Sequence, residues 1–184
     1  MSSRYSLPTQ TDIGGKVYAL RADFRNILDI FSCLDDPDLP EMIRWLTALS
    51  LFYEPEVAAE HRREAMEYLS WFLRCGEGES APGPKLLDWQ QDADAIIAGV
   101  NKVSGCEVRE KPFVHWWTFL SWFHAMEGGQ LATVVSIRDK LHRGKKLEDW
   151  EKDFYRQNKK KVDLKKRYSS QELAQQERLK ALLK

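Results

Sequence analysis

Apolar residues recur along this chain with the period of a helix, and the interruptions fall at glycine, proline and aspartate. Asp23 stands before Phe24, Ile27, Leu28 and Phe31, an i, i+3, i+4, i+7 set that predicts a capped amphipathic helix over 24–34. Asp35-Asp36-Pro37-Asp38 breaks it, and Asp38, Pro40 and Glu41 start a second helix over 39–52. Glu54-Pro55 punctuates again before a helix that runs to Arg74 and stops at Cys75-Gly76. Leu86, Trp89, Ala93, Ile96, Ile97 and Val100 predict a helix over 86–103, with Asp88, Gln91, Asp92 and Asp94 on the opposite side. Pro112 precedes an aromatic helix over 113–127, closed by Gly128-Gly129, and Leu131, Val134, Val135 and Ile137 mark another over 130–143. The N-terminus reads differently: Gly14-Gly15 lies between two short runs in residues 12–20, which is hairpin chemistry.

The expected architecture is all-α: one mainly helical domain over 1–144, with a short extended N-terminus at 1–20 and a proline- and glycine-rich loop at 76–84. A charged, partly flexible helical arm is expected over 145–184. There the apolar positions thin to Leu147, Trp150, Phe154 and Tyr155. Ser169-Ser170-Gln171-Glu172 is a capping-box signature opening a last helix. Its stripe of Leu173, Leu179, Leu182 and Leu183 is too thin to hold it alone.

The aromatic helix changes the picture most. Six of the eleven residues from Phe113 to Phe123 are aromatic, and a patch of that size left in water would drive aggregation. At 100° per residue Trp116, Leu120 and Phe123 share a face that Phe113 and Trp117 extend, while Phe119 and Trp122 fall on the flank. The face is expected to be core, and the flank a partner groove.

Net charge is zero over 184 residues, but the sum hides an asymmetry. Residues 1–137 hold 12 Lys and Arg against 20 Asp and Glu, whereas 138–167 hold 13 against 6. An acidic body with a basic arm has three uses: folding back on itself, pairing head to tail with a neighbour, or presenting the arm to an acidic partner. Lys159, Lys160, Lys161, Lys165, Lys166 and Arg167, with Trp150 and Phe154 nearby, also suit nucleic acid. The interleaved acids and the neutral total put that reading second to a protein partner.

Candidate chemistry is sparse. The four histidines include no i, i+3 or i, i+4 pair, and Cys33, Cys75 and Cys106 show no zinc spacing, which fits reduced thiols. Asp88 and Asp92 stand one turn apart and suit a divalent cation in principle, but such a pair on an amphipathic helix is more often a solvated surface. No nucleophile elbow and no phosphate-binding glycine loop occurs. The expectation is no catalytic residue, no metal, no cofactor and no enzymatic activity. No apolar run reaches membrane-spanning length, and the N-terminus has no signal-peptide core.

Asp88-Trp-Gln-Gln-Asp92-Ala, followed by His115-Trp116-Trp117-Thr118-Phe119, resembles the bacteriophage protein-fifteen family. Leu7-Pro-Thr, Ile13-Gly-Gly-Lys, Ala22-Asp-Phe-Arg25 and Phe52-Tyr53 extend the resemblance over residues 7–145. It implies a tail-region protein of phages or prophages of Gram-positive hosts, similar to the tail-assembly chaperones that coat the tape-measure protein. The implied partners are the tape-measure protein, other tail-assembly proteins or further copies of the chain. The implied place is the host cytoplasm, or the virion tail if the protein is a structural component.

Overall fold

The turn at Gly14-Gly15 sets the start of the molecule. Both glycines have positive φ, 58° and 79°, the backbone that a two-residue hairpin needs. At Gly14 a side chain would also run into the His61 ring. The computed structural model describes residues 5–78 and 83–182, so part of the expected loop at 76–84 and the last residues of the arm lie outside the described residues. The hairpin pairs β1 (Gln10–Ile13) with β2 (Lys16–Leu20), and β2 adds a two-residue strand β3 (Tyr53–Glu54) on its other edge. The hairpin was legible in the sequence, whereas β3 was not.

Helix dominates the rest. Asp23 caps α1 (Phe24–Leu34) by accepting the Arg25 N–H at 3.0 Å, which fixes the helix start as its position implied. The helices α2 (Glu41–Phe52) and α3 (Arg62–Leu73) follow. These elements form one compact unit, Met1–Gly78 together with Lys166–Lys184. Its core is Tyr18, Phe24, Ile27, Ile30, Phe52, Tyr53, Leu69 and Phe72, all essentially without solvent contact. Tyr53 donates its hydroxyl to the Ala65 carbonyl at 2.9 Å, and its burial raises its pKa well above the ordinary tyrosine value. The last helix, α8 (Ser170–Leu182), carries the expected capping box: Glu172 accepts the Ser169 N–H at 2.7 Å, and Ser169 Oγ accepts from Glu172 N–H. Asp38 adds a second anchor, accepting from the Ser170 N–H at 2.6 Å and from its hydroxyl.

The second unit spans Glu79–Lys165 and contains α4 (Ala93–Ser104), α5 (Trp116–His124), α6 (Gly129–His142) and α7 (Asp149–Val162). Two boundaries differ from expectation. Helix α4 begins at Ala93 and not at Leu86, because residues 88–92 form a tight turn held by aspartate side chains. Helix α5 begins at Trp116, since His115 takes the cap position and its Nδ1 accepts the Trp117 N–H at 3.1 Å. Phe113 therefore lies outside the helix and is 55% exposed, contrary to its expected place on the buried face.

The larger difference concerns the expected arm. Helix α7 is packed in the second unit: Leu147 and Val162 are buried with Val134 and Ile137 of α6, and Phe154 and Tyr155 lie against that cluster. The sparse apolar positions of this segment suffice because they fall on one face over α6. The boundary expected at 144–145 thus cuts through a packed helix pair. Residues 166–182 belong to the first unit.

Candidate partner-binding surfaces

In the second unit, polar side chains are spent on fastening backbone. Asp88 accepts the N–H groups of Gln90 (3.0 Å) and Gln91 (2.9 Å), and its own N–H donates to Asp92 at 3.0 Å. Lys85 closes on the other Asp88 oxygen at 3.3 Å. Asp92 receives Arg138 in a two-point grip, Nη1 at 2.6 Å and Nη2 at 2.9 Å, with both side chains almost fully buried. The expectation of a solvated aspartate pair is thereby corrected. Both carboxylates are inside, because a turn rather than a helix carries Asp88, and each is occupied by N–H donors.

Arg138 then reaches three carbonyls: Val162 through Nε at 2.7 Å, Lys161 through Nη2 at 2.7 Å and Leu86 through Nη1 at 2.9 Å. The C-terminal turn of a helix leaves carbonyls without partners, and Arg138 supplies them for α7. Gln91 completes the fastening. Its amide donates to the Asp163 carbonyl at 2.8 Å and the Lys161 carbonyl at 3.2 Å, and its oxygen accepts the Lys165 N–H at 2.9 Å. At the N-terminal end of α7, Lys140 grips both oxygens of Glu151 at 2.7 Å, and Glu151 closes the capping box of the helix. The Lys140 ammonium and the Glu148 N–H hold the Glu151 carboxyl below its ordinary pKa.

Two open surfaces stand out among the described residues. One is a cleft of about 430 Å³ lined by Ala95, Ala98, Gly99 and Val103 of α4 and by Met126 and Leu131. The α4 positions recur at i, i+3, i+4 and i+8, so one small-residue face forms a wall. Gly99 leaves room for the Met126 thioether, which a Cβ would strike. The other is a basic depression of about 780 Å³ at the end of α7, where Arg156, Lys159, Lys160, Lys161 and Lys165 surround Asn158. Helix α7 is kinked at Asn158, which has φ −118° and ψ 24°.

The expected site residues divide accordingly. Lys159, Lys160, Lys161 and Lys165 come together, whereas Lys166 and Arg167 fall in the first unit. Trp150 is 59% exposed. Phe154 is corrected to a packing residue on the α6–α7 cluster. Phe119 is fully buried and stacked on Trp116 at 5.9 Å, so it is core and not groove. Trp116 is buried as expected, and Trp117 and Trp122 are half-buried. His115 is buried and acts as a cap. Sequence reasoning missed Gln91 and Arg138. The available signal was a guanidinium in register with Leu131 and Val134, on the apolar side of α6. The cleft was signalled by Ala95, Ala98 and Gly99 at helical spacing.

Among the described residues no group of three His, Cys, Asp or Glu is placed to hold a metal ion, and no helix is long and apolar enough to cross a membrane. No disulfide links Cys33, Cys75 and Cys106, and burial pushes the Cys75 thiol up to about 12, away from thiolate chemistry at neutral pH.

What these units define is a mainly helical protein whose buried polar groups hold backbone in place and whose open features are a groove and a charged depression. The chain belongs to the family described as bacteriophage Gp15 protein, whose model it matches over residues 4–164. That span takes in the hairpin, the Asp92–Arg138 grip and all of α7, well past the end of the resemblance read from motifs. Membership supports a structural or morphogenetic role in the phage. Neither the curated proteins nor the solved structures contain a match.

Proposed function

We propose that this chain is a non-enzymatic tail-morphogenesis protein, a tail-assembly chaperone that takes amphipathic helical segments of the tape-measure protein into the α4 cleft. The observation that carries the reading is the cleft itself. Its α4 wall is built from Ala95, Ala98 and Gly99, which let a partner helix approach closely, and Val103, Met126 and Leu131 supply the apolar contact. Lys102 and Glu127 on its rim keep the surface soluble when empty. A chaperone must bind repeatedly and let go, and a cleft of this size seats one or two side chains of a partner rather than a whole helix face. Buried Asp88, Asp92 and His115 spend their polar atoms on backbone and on Arg138, which accords with a protein that does no chemistry.

The test is co-expression with the tape-measure protein of the same phage or prophage, followed by co-purification and mass spectrometry of mature particles. Capture of the tape-measure protein, with this chain missing from particles, supports the chaperone. Its presence at fixed copy number in particles makes it a virion tail or head–tail component instead.

A further inference from the structure

We infer that the basic depression at the end of α7 is a sequence-independent nucleic-acid site, which takes the phosphodiester backbone of a strand. Its lining is dominated by cations: Lys159, Lys160, Lys161 and Lys165 join Arg156, against one carboxylate, Asp163, and one apolar side chain, Leu164. The interleaved acids that told against nucleic acid in the sequence are engaged in the fold. Asp149 pairs with Lys152 at 2.7 Å, Glu151 with Lys140 at 2.7 Å and Asp153 with Arg156 at 2.8 Å. Glu148 accepts the Glu151 N–H in the capping box, and Asp163 accepts the Tyr155 hydroxyl at 2.8 Å. Among the described residues no carboxylate or carbonyl holds the side-chain ammonium of Lys159, Lys160, Lys161 or Lys165. The neutral total is a sum over the whole chain, and the local field at this depression is positive.

Lysines at a helix C-terminus ordinarily serve its open carbonyls. That duty is already filled here, because Gln91 and Arg138 take the carbonyls of Lys161, Val162 and Asp163. The same bonds, with Gln91 on the Lys165 N–H, fix the backbone that carries the cations. The kink at Asn158, whose amide donates to the Phe154 carbonyl at 3.0 Å, breaks the straight helix, so the lysines stand around a hollow instead of along one helix side. Protein interfaces depend on buried apolar or aromatic anchors, and only half-buried Leu164 is apolar in this lining. Sequence-independent binding to nucleic acid needs no such anchor, since neutralising phosphates supplies its affinity. Lysine, a hydrated point charge on a flexible stem, suits that contact. The site stands independently of the cleft, and its loss should leave capture of the tape-measure protein unchanged.

The experiment is fluorescence anisotropy of the full-length protein with labelled oligothymidylate, oligouridylate, a duplex DNA of mixed sequence and polyglutamate. Four phosphate contacts predict that raising salt from about 50 mM to about 200 mM weakens binding about 50-fold for a single strand and about 150-fold for a duplex. The nucleic acid bound most tightly identifies the natural form of the ligand. Lys160→Gln/Lys161→Gln, at the parent's melting temperature, should lower the log–log salt slope by about 2. Lys145→Gln/Lys146→Gln makes the same charge change outside the depression and should leave the slope as it is. If the first pair melts early, Lys165→Gln, beyond the end of α7, should lower the slope by about 1. Absence of binding to every nucleic acid at about 50 mM salt overturns the proposal, as does an equal loss from the two lysine pairs or an unchanged slope in Lys160→Gln/Lys161→Gln. So does polyglutamate bound more tightly than every nucleic acid, since the depression would then be a site for an acidic protein segment.

Discussion

Asp92 and Arg138 are 46 residues apart in sequence and meet through two hydrogen bonds, at 2.6 and 2.9 Å, with neither side chain more than 6% exposed. The pair links the turn before α4 to the middle of α6, and through Arg138 to the carboxyl end of α7. Removing one partner leaves the other charged and buried, which costs about 3–5 kcal/mol in comparable cases. Asp92→Ala should destabilise the protein by that order in urea unfolding. The Asp92→Ala/Arg138→Met double variant should recover part of the loss, because no charge is then left alone. Equal losses from the single and double variants would mean the grip is not the unit of stabilisation.

Trp116 is buried and stacked on Phe119, whereas Trp117 is half-buried on the next position of α5. Trp116→Ala should therefore cost about 3–5 kcal/mol, and Trp117→Ala clearly less. Thermal melts of the two variants compare them directly, and equal shifts would contradict the assignment of Trp116 to the core.

Truncation gives a sharper result than the sequence suggested. Ending the chain at Gly144 strips Phe154, Tyr155 and Val162 from Val134 and Ile137 and leaves Arg138 without two of its carbonyl partners. A 1–144 fragment should lose cooperative melting in its second unit. Its limited proteolysis should cut within α6, while the intact chain resists cleavage between Asp149 and Val162. A 1–144 fragment as stable as the parent would show that α7 is an appendage after all.

Acid should loosen the second unit in a defined direction. The Arg109 side chain, with help from its backbone N–H and from Asn101, lowers the Glu107 carboxyl to about 2, and Lys140 lowers Glu151. A carboxyl whose folded pKa is depressed stabilises the fold above its unfolded value and loses that contribution as pH falls through the folded value. Stability should therefore fall between the ordinary glutamate value of 4.5 and about 2. Glu151→Gln should flatten part of that slope in acid titrations followed by circular dichroism. An unchanged slope would remove Glu151 from the account.

The features legible in the sequence were those fixed by short-range chemistry. Gly14-Gly15 dictates its turn, Asp23 its cap and Ser169–Glu172 its box, each within four residues. What escaped was set by partners far along the chain. Asp92 looks like a surface acid until Arg138 is brought to it, and Phe154 looks like a free ring until α7 lies on α6. The aromatic run announced a buried helix correctly at Trp116. It misassigned Phe113, because the capping role of His115 shortens the helix. Lys159–Lys161 were legible as a charged cluster, but not as a fixed one, since the side chains that fix it lie near residues 91 and 138.

The central claim is that the α4 cleft seats the tape-measure protein. Ala98 is exposed on the cleft wall, so Ala98→Glu should place a charge there without disturbing the core. Co-purification of the tape-measure protein with the parent chain and with Ala98→Glu, at matched melting temperatures, tests this most directly. Capture by the parent and its loss in the variant is the predicted result. Equal capture by both, or none by the parent, would contradict it.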